Sequence, residues 1–189
     1  MLEFLALGSD PAAAKAVAQE LGGIAYLSGG SGEGRPFASI VRVATSDPAG
    51  LAPASDLGLY LAFSRSMRAH PHNWTGPNPT PGVVAAFGLV RRSDHSHLES
   101  DAHWRDIHAP LALRIHIGMW AYTQCSIVER FSGEDYDGIA LCGFGSDDDL
   151  RQRFFDGPEG QQAIRDDVTS FADTQRSPRR VLCQEWTFR

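Results

Sequence analysis

Apolar and polar positions along the chain switch between a two-residue and a helical period. Residues 2–8 alternate enough to predict a short strand. Ser9-Asp10-Pro11 then supplies a capping side chain with proline at the first helical position. The alanine-rich stretch 12–21 predicts a helix, ended by Gly22-Gly23. Ser28-Gly29-Gly30-Ser31-Gly32 reads as a flexible loop, and Phe37–Ala44 and Leu57–Phe63 read as strands. From Ala69 to Gly82 the chain is rich in Pro, Gly, His and Asn and predicts a loop or linker. Beyond it come an apolar strand at Val83–Val90 and, after Ser93-Asp94, a helix from about His97 to Ala109. Two further strands follow at Met119–Phe131 and Gly138–Phe144. Ser146 caps the next helix, and Asp147-Asp148-Asp149 suit the positive end of its dipole. That helical stretch runs to Ala172 with a break at Gly157-Pro158, and Val181–Phe188 is the last strand.

The second half has the order β-α-β-β-α-β of a ferredoxin-like unit. The first half reads as a degenerate β-α-β-β, its last helix and strand replaced by the loop. The fold class is α+β, with a division into 1–82 and 83–189. Short matches suggest a duplication: Ser9-Asp10 parallels Ser93-Asp94, and Asp56-Leu57-Gly58 with Phe63-Ser64 parallels Asp137-Gly138-Ile139 with Phe144-Gly145-Ser146.

Composition narrows the function classes. Among 189 residues, 17 Lys+Arg against 23 Asp+Glu leave a net charge of −6, unlike a general nucleic-acid binder. No apolar run is long enough to span a membrane, and no signal peptide is apparent. Cys125, Cys142 and Cys183 are widely spaced without a C-x-x-C. They read as small buried residues in strands, and a reducing cytoplasm is the expected setting. Lys15 is the only lysine, so Schiff-base or P-loop chemistry would rest on a mid-helix residue alone. Ser28–Gly34 lacks a P-loop lysine, and Arg176–Arg180 is a short local charge cluster.

The most distinctive stretch is His103-Trp104-Arg105-Asp106-Ile107-His108-Ala109-Pro110-Leu111. On a helix, Trp104 and His108 share a face that His97 and Asp101 continue. A face meeting a sheet should be apolar, yet this one carries an indole, two imidazoles and a carboxylate. Pro110 should end or distort the helix, placing His108 at a C-terminus, a plausible setting for an acid/base group. On Met119–Arg130, one strand face presents Trp120, Tyr122, Gln124, Ser126 and Val128, as a pocket wall or an interface would. The other face, Met119, Ala121, Thr123, Cys125 and Ile127, is an ordinary core face.

Trp104-x-x-x-His108-x-Pro110-Leu111 resembles the signature of the EthD-domain family. So do Tyr122-x-Gln124, Tyr136-Asp137-Gly138-Ile139, Asp167-x-x-x-Phe171-x-Asp173 and Glu185, in the right order over residues 83–189. Ser100 departs from it, since an apolar or aromatic residue is usual one turn before the Trp. The resemblance implies one unit of a dimeric α+β barrel whose two sheets enclose a cavity. It implies cofactor-free chemistry on aromatic or polyketide-like small molecules, by lactone isomerases, cyclases, dehydratases or monooxygenases. Related barrels also bind haem, with His108 or another His as axial ligand.

His108 is the candidate general base, with a helix-ending structural role as the alternative. Asp137 is either a turn residue or the group that orients His108 or polarises substrate. Asp167 is either a solvated or capping residue or a second assistant. Trp104, Trp120, Tyr122 and Gln124 are candidate pocket residues. His95, His97, His103 and His108 invite a metal reading, but His103 and His108, five apart, should diverge on a helix, so no metal is expected. His70-Pro71-His72-Asn73-Trp74 is a linker or a lid. The expected function is a lyase, isomerase, cyclase or dehydratase that uses His108 on a small aromatic or unsaturated carbonyl compound. A cofactor-free monooxygenase and a non-catalytic binding module are the alternatives. A homodimer is expected unless residues 1–82 mimic the second subunit.

Overall fold

A computed structural model describes residues 1–29, 34–71, 74 and 78–188. The chain begins with β1 (Leu2–Gly8), α1 (Pro11–Leu21), β2 (Ile24–Ser28) and β3 (Ser39–Val43). The Asp10 carboxylate accepts the Ala12 N–H to start α1, and Gly22 ends it in the left-handed region at φ 68°. A 3-10 segment, Pro48–Ala54, leads to β4 (Gly58–Arg68). This half is therefore a complete β-α-β-β-α-β in which the second helix has shrunk to the 3-10 segment. Its fourth strand is present, contrary to the sequence expectation. The shortfall arose because Ile24–Ser28, one apolar run against a glycine loop, was not read as a strand. Gly30–Glu33, the middle of that loop, lie outside the described residues.

The second half runs β5 (Val83–Leu89), α2 (His97–His103), a π-helical turn (Trp104–His108), α3 (Ala109–Ile115), β6 (Met119–Gly133) and β7 (Gly138–Phe144). It finishes with α4 (Asp147–Gln152), α5 (Pro158–Phe171) and β8 (Val181–Thr187). A capping box between Ser96 and Glu99 starts α2, and the Ser146 hydroxyl accepts the Asp149 N–H to start α4.

Within each half the strands lie in the order fourth, first, third, second: β4-β1-β3-β2 and β8-β5-β7-β6. β2 pairs with β8 and β4 pairs with β6, all antiparallel, so one chain closes both sheets into a single barrel. Topology thus equates β1 with β5 and β4 with β8. The Asp56–Ser64 and Asp137–Ser146 motifs consequently fall on non-equivalent strands, the fourth and the third, and do not mark the duplication. Ser9-Asp10 and Ser93-Asp94 do both follow first strands.

Strand alternation sorts residues between the barrel interior and its outer layers. Leu5, Leu7, Ile40, Tyr60, Cys125, Ile127, Ile139 and Leu141 fill the interior. A buried polar group shares it: the Arg42 Nε–H donates to Glu3 at 2.9 Å, the Ser64 hydroxyl donates to the same carboxylate at 2.8 Å, and Arg42 also donates to the Tyr26 hydroxyl. The cavity expected between the sheets is therefore packed. A pocket of about 30 Å³ opens at the mouth beside Trp120, Thr80 and Glu185, room for about two waters. Outside, α1 and the 3-10 segment cover the first sheet through Ala14, Val17 and Leu51, and α3 and α5 cover the second through Ala112, Ile115 and Ile164. Among the described residues, no helix is long and apolar enough to cross a membrane.

Candidate active site

The mixed helix face finds its match on the outward face of β6. His97 meets Ser126 (Nε2 to Oγ, 3.3 Å). Two turns on, the Trp104 indole N–H donates to the Tyr122 hydroxyl at 3.1 Å. The Gln124 amide donates both to the Trp104 carbonyl (2.9 Å) and to the Tyr122 hydroxyl (3.0 Å). A polar strand face thus answers a polar helix face and gives these buried side chains partners, with the Gln124 Oε1 left without one. Gly138 makes the approach possible: a Cβ there would lie 2.5 Å from the Trp104 ring. Ser100, the departure noted in the sequence, is buried and donates to the Phe171 carbonyl, tying α2 to α5.

Pro110 does not end the helix. The chain continues helically to Ile115, and His108 sits mid-helix, so the C-terminal dipole argument for it fails. The distortion takes the form of the π turn, in which the Ala109 N–H reaches back five residues to the Trp104 carbonyl. A wider turn gives room to the proline ring, which would clash with the carbonyl four residues back in a regular helix. It also brings positions five apart onto one face. His103 Nε2 and His108 Nδ1 accordingly meet the two oxygens of a single carboxylate, Asp167 on α5, at 2.8 and 2.7 Å. They converge where a regular helix would have separated them. Phe171, one turn along α5, stacks on His103 at 4.8 Å between centroids. Burial raises the Asp167 pKa, but the bonds from His108 and His103 outweigh it and hold the carboxyl below its ordinary range.

His108 lines a cavity of about 290 Å³ between the outer face of the second sheet and the α3–α5 layer. Trp104, Tyr122, Phe87, Phe154, Phe171 and a second imidazole, His116, share its wall. Because a carboxylate only accepts, the neutral His108 ring carries its proton on Nδ1. Its Nε2 has no partner among the described residues and is not sealed from solvent. That is a base whose tautomer and orientation are set from behind, as in a catalytic His–Asp pair. Tyr122 keeps its phenolic proton: burial pushes its pKa far up, and the bonds from Gln124 and Trp104 only partly reverse this. Its oxygen already accepts two bonds, so its own O–H remains to donate.

Other candidates lie elsewhere. Asp137 does not orient His108. It accepts from the Arg91 backbone and guanidinium (2.8 and 2.6 Å) and meets His97 at 3.1 Å. Trp120 faces the barrel mouth beside His70, at 5.0 Å between rings, because a register shift between Met119 and Ala121 breaks the alternation with Tyr122. Gln124 braces the site from behind and does not line the cavity. His95 pairs with Asp94 at the surface, and His72 and Asn73 lie outside the described residues. Cys142 lines the cavity with its thiol pushed up to about 12 by burial. No group of three or more His, Cys, Asp or Glu side chains suited to a metal ion occurs among the described residues. Sequence reasoning missed two residues. His103 needed the π turn, for which mid-helix Pro110 is the only sequence signal. His116 stands outside every motif.

No protein-family model matches the chain, and no curated protein does. Solved structures do. An anthrone oxidase-like protein is 10% identical with a TM-score of 0.62, covering 100% of this chain and 91% of that one. A candidate monooxygenase from Lactobacillus acidophilus is 7% identical with a TM-score of 0.51, covering 98% and 95%. At such identities the likeness is one of fold: this chain shares the α+β architecture of both.

Proposed function

We propose that this chain is a cofactor-free oxygenase that deprotonates an aromatic carbonyl compound or phenol and commits the resulting anion to dioxygen. The carrying observation is the Asp167–His108 pair: the carboxylate holds Nδ1, and His108 lines an apolar cavity whose wall Tyr122 shares. Such a site serves a weak carbon or phenol acid, since Asp167 stabilises the imidazolium as it forms and low polarity strengthens both contacts.

For a benzylic CH2 conjugated to a carbonyl, the steps balance as follows. His108 Nε2 takes one proton, and the electron pair spreads to the carbonyl oxygen, to which Tyr122 donates. The carbanion carbon passes its electrons to dioxygen and a C–O bond forms. The resulting peroxide anion takes the proton back from His108. Loss of the second C–H proton with cleavage of the O–O bond leaves a new carbonyl and one water. The CH2 carbon is oxidised by four electrons and dioxygen is reduced by four.

The names of the two structural neighbours, an anthrone oxidase-like protein and a candidate monooxygenase, support this reading over the lyase, isomerase, cyclase or dehydratase expected from sequence. The EthD-like motifs of residues 83–189 are compatible with it and remain a resemblance.

The test is oxygen uptake with anthrone as probe. One O2 should be consumed per new carbonyl, and His108→Gln should lower turnover by about 100-fold or more. Conversion at the same rate without oxygen would return the lyase or isomerase reading. Binding without conversion, indifferent to His108→Gln, would leave a binding module.

A further inference from the structure

The cavity has a second imidazole that the proton-transfer scheme does not use. His116 follows α3 directly, and its ring packs against both Phe154 and Phe155, at 4.3 and 5.4 Å between centroids. The residue is 5% exposed and lines the cavity wall with His108. Its Nδ1 makes a short hydrogen bond to the Phe154 backbone carbonyl. A carbonyl oxygen can only accept, so Nδ1 must carry the proton. In the neutral ring, Nε2 is therefore an acceptor with its lone pair exposed. No described residue donates to it, and it is not sealed from solvent. Burial keeps the ring on the neutral side, lowering its pKa despite the Phe154 bond, with His108 lowering it further and Asp156 opposing.

His108 and His116 are thus chemically unlike. One is a carboxylate-backed base and the other a fixed, neutral acceptor. They lie eight residues apart in the sequence, His108 in the π turn and His116 just past the end of α3, on the wall of one cavity of about 290 Å³. Two or three fused rings fit such a cavity and can present polar groups to both imidazoles. The walls between them are aromatic and aliphatic.

We propose that His116 is the second substrate anchor, accepting a hydrogen bond from a ring hydroxyl of a fused aromatic whose other end meets His108. This rests on the reading of the cavity as the substrate site and narrows the substrate class to hydroxylated two- or three-ring aromatics. An apolar pocket rejects a missing or capped hydroxyl only weakly. A pocket with a committed acceptor rejects it more strongly, because the buried lone pair is then left unmet.

The experiment reads equilibrium binding, by absorbance or fluorescence titration, of 2-hydroxyanthraquinone, 2-methoxyanthraquinone and anthraquinone to the whole protein. The wild type should favour the hydroxyl compound by about tenfold. His116→Phe keeps an aromatic ring against Phe154 and Phe155 but no acceptor, and should bring all three to within about twofold. His116→Gln, which offers an acceptor oxygen, should restore part of the preference. Thermal unfolding checks that each variant is folded. Equal binding of the three by the wild type, which needs no variant, overturns the proposal. So does failure of all three to bind, or a folded His116→Phe that keeps the preference. The readout involves no turnover. Loss of oxygen uptake with the preference intact refutes only the oxygenase reading, and uptake without the preference refutes only this one.

Discussion

Asp167 answers to two imidazoles at once, and that sharing carries the most testable consequences at the scale of single residues. Replacing it with Asn leaves the shape but removes the charge that fixes the His108 tautomer. Asp167→Asn should lower turnover by about 100-fold with KM little changed. Its depressed pKa also makes a statement about stability. A carboxyl whose folded-state pKa lies below the ordinary 3.8 contributes stability that is present above that value and is lost as the pH falls through the folded-state value. The stability gap between wild type and Asp167→Asn should therefore be wide at pH 7 and close at low pH, as urea unfolding across that range would show. A gap independent of pH would mean that the variant acts by packing alone. The Trp104–His108 pairing was legible at this scale, because four-residue spacing is local. The partnership of His103 and His108 was not, because it depends on a departure from the regular helix and on a carboxylate 59 residues from His108.

At the scale of elements, Pro110 links sequence to site. In a regular helix interior, proline is about 3 kcal/mol less favourable than alanine. Here it follows a π turn that accommodates it and aligns His103 with His108. Pro110→Ala should leave the melting temperature equal or higher, yet let the turn tighten and rotate one imidazole off Asp167, with turnover falling several-fold. Unchanged turnover would assign the π turn to the packing of Trp104 on Gly138 instead. Most elements were readable from caps and periodicity: Asp10 and Ser146 mark helix starts by accepting a backbone N–H, and Gly157-Pro158 does so through proline at the first helical position. β2 was not, because five residues next to a glycine loop carry too little pattern, and their strand state is confirmed only by pairing with β3 and β8. The shortened second helix of the first half leaves its mark as well: Phe63, Val128 and Phe131 stand exposed on β4 and β6.

The whole molecule closes its barrel within one chain. The pairs β2–β8 and β4–β6, which a dimer of half-sized chains would form between subunits, are intramolecular. The melting temperature should accordingly stay constant over a hundredfold range of protein concentration. A melt that rises with concentration would mean that folding is coupled to association. The sequence by itself determined the α+β class, most elements, the ferredoxin-like order of the second half and the face that carries Trp104 and His108. All of these rest on interactions between residues a few positions apart. Only the tertiary structure decided that residues 1–68 complete the barrel, that its interior is packed and that the cavity lies outside it under α3 and α5. It alone assigned Asp167 rather than Asp137 to His108 and brought His116 to the wall. Those outcomes depend on which distant surfaces meet when apolar area is buried and polar groups must still find partners, and no local pattern encodes that choice.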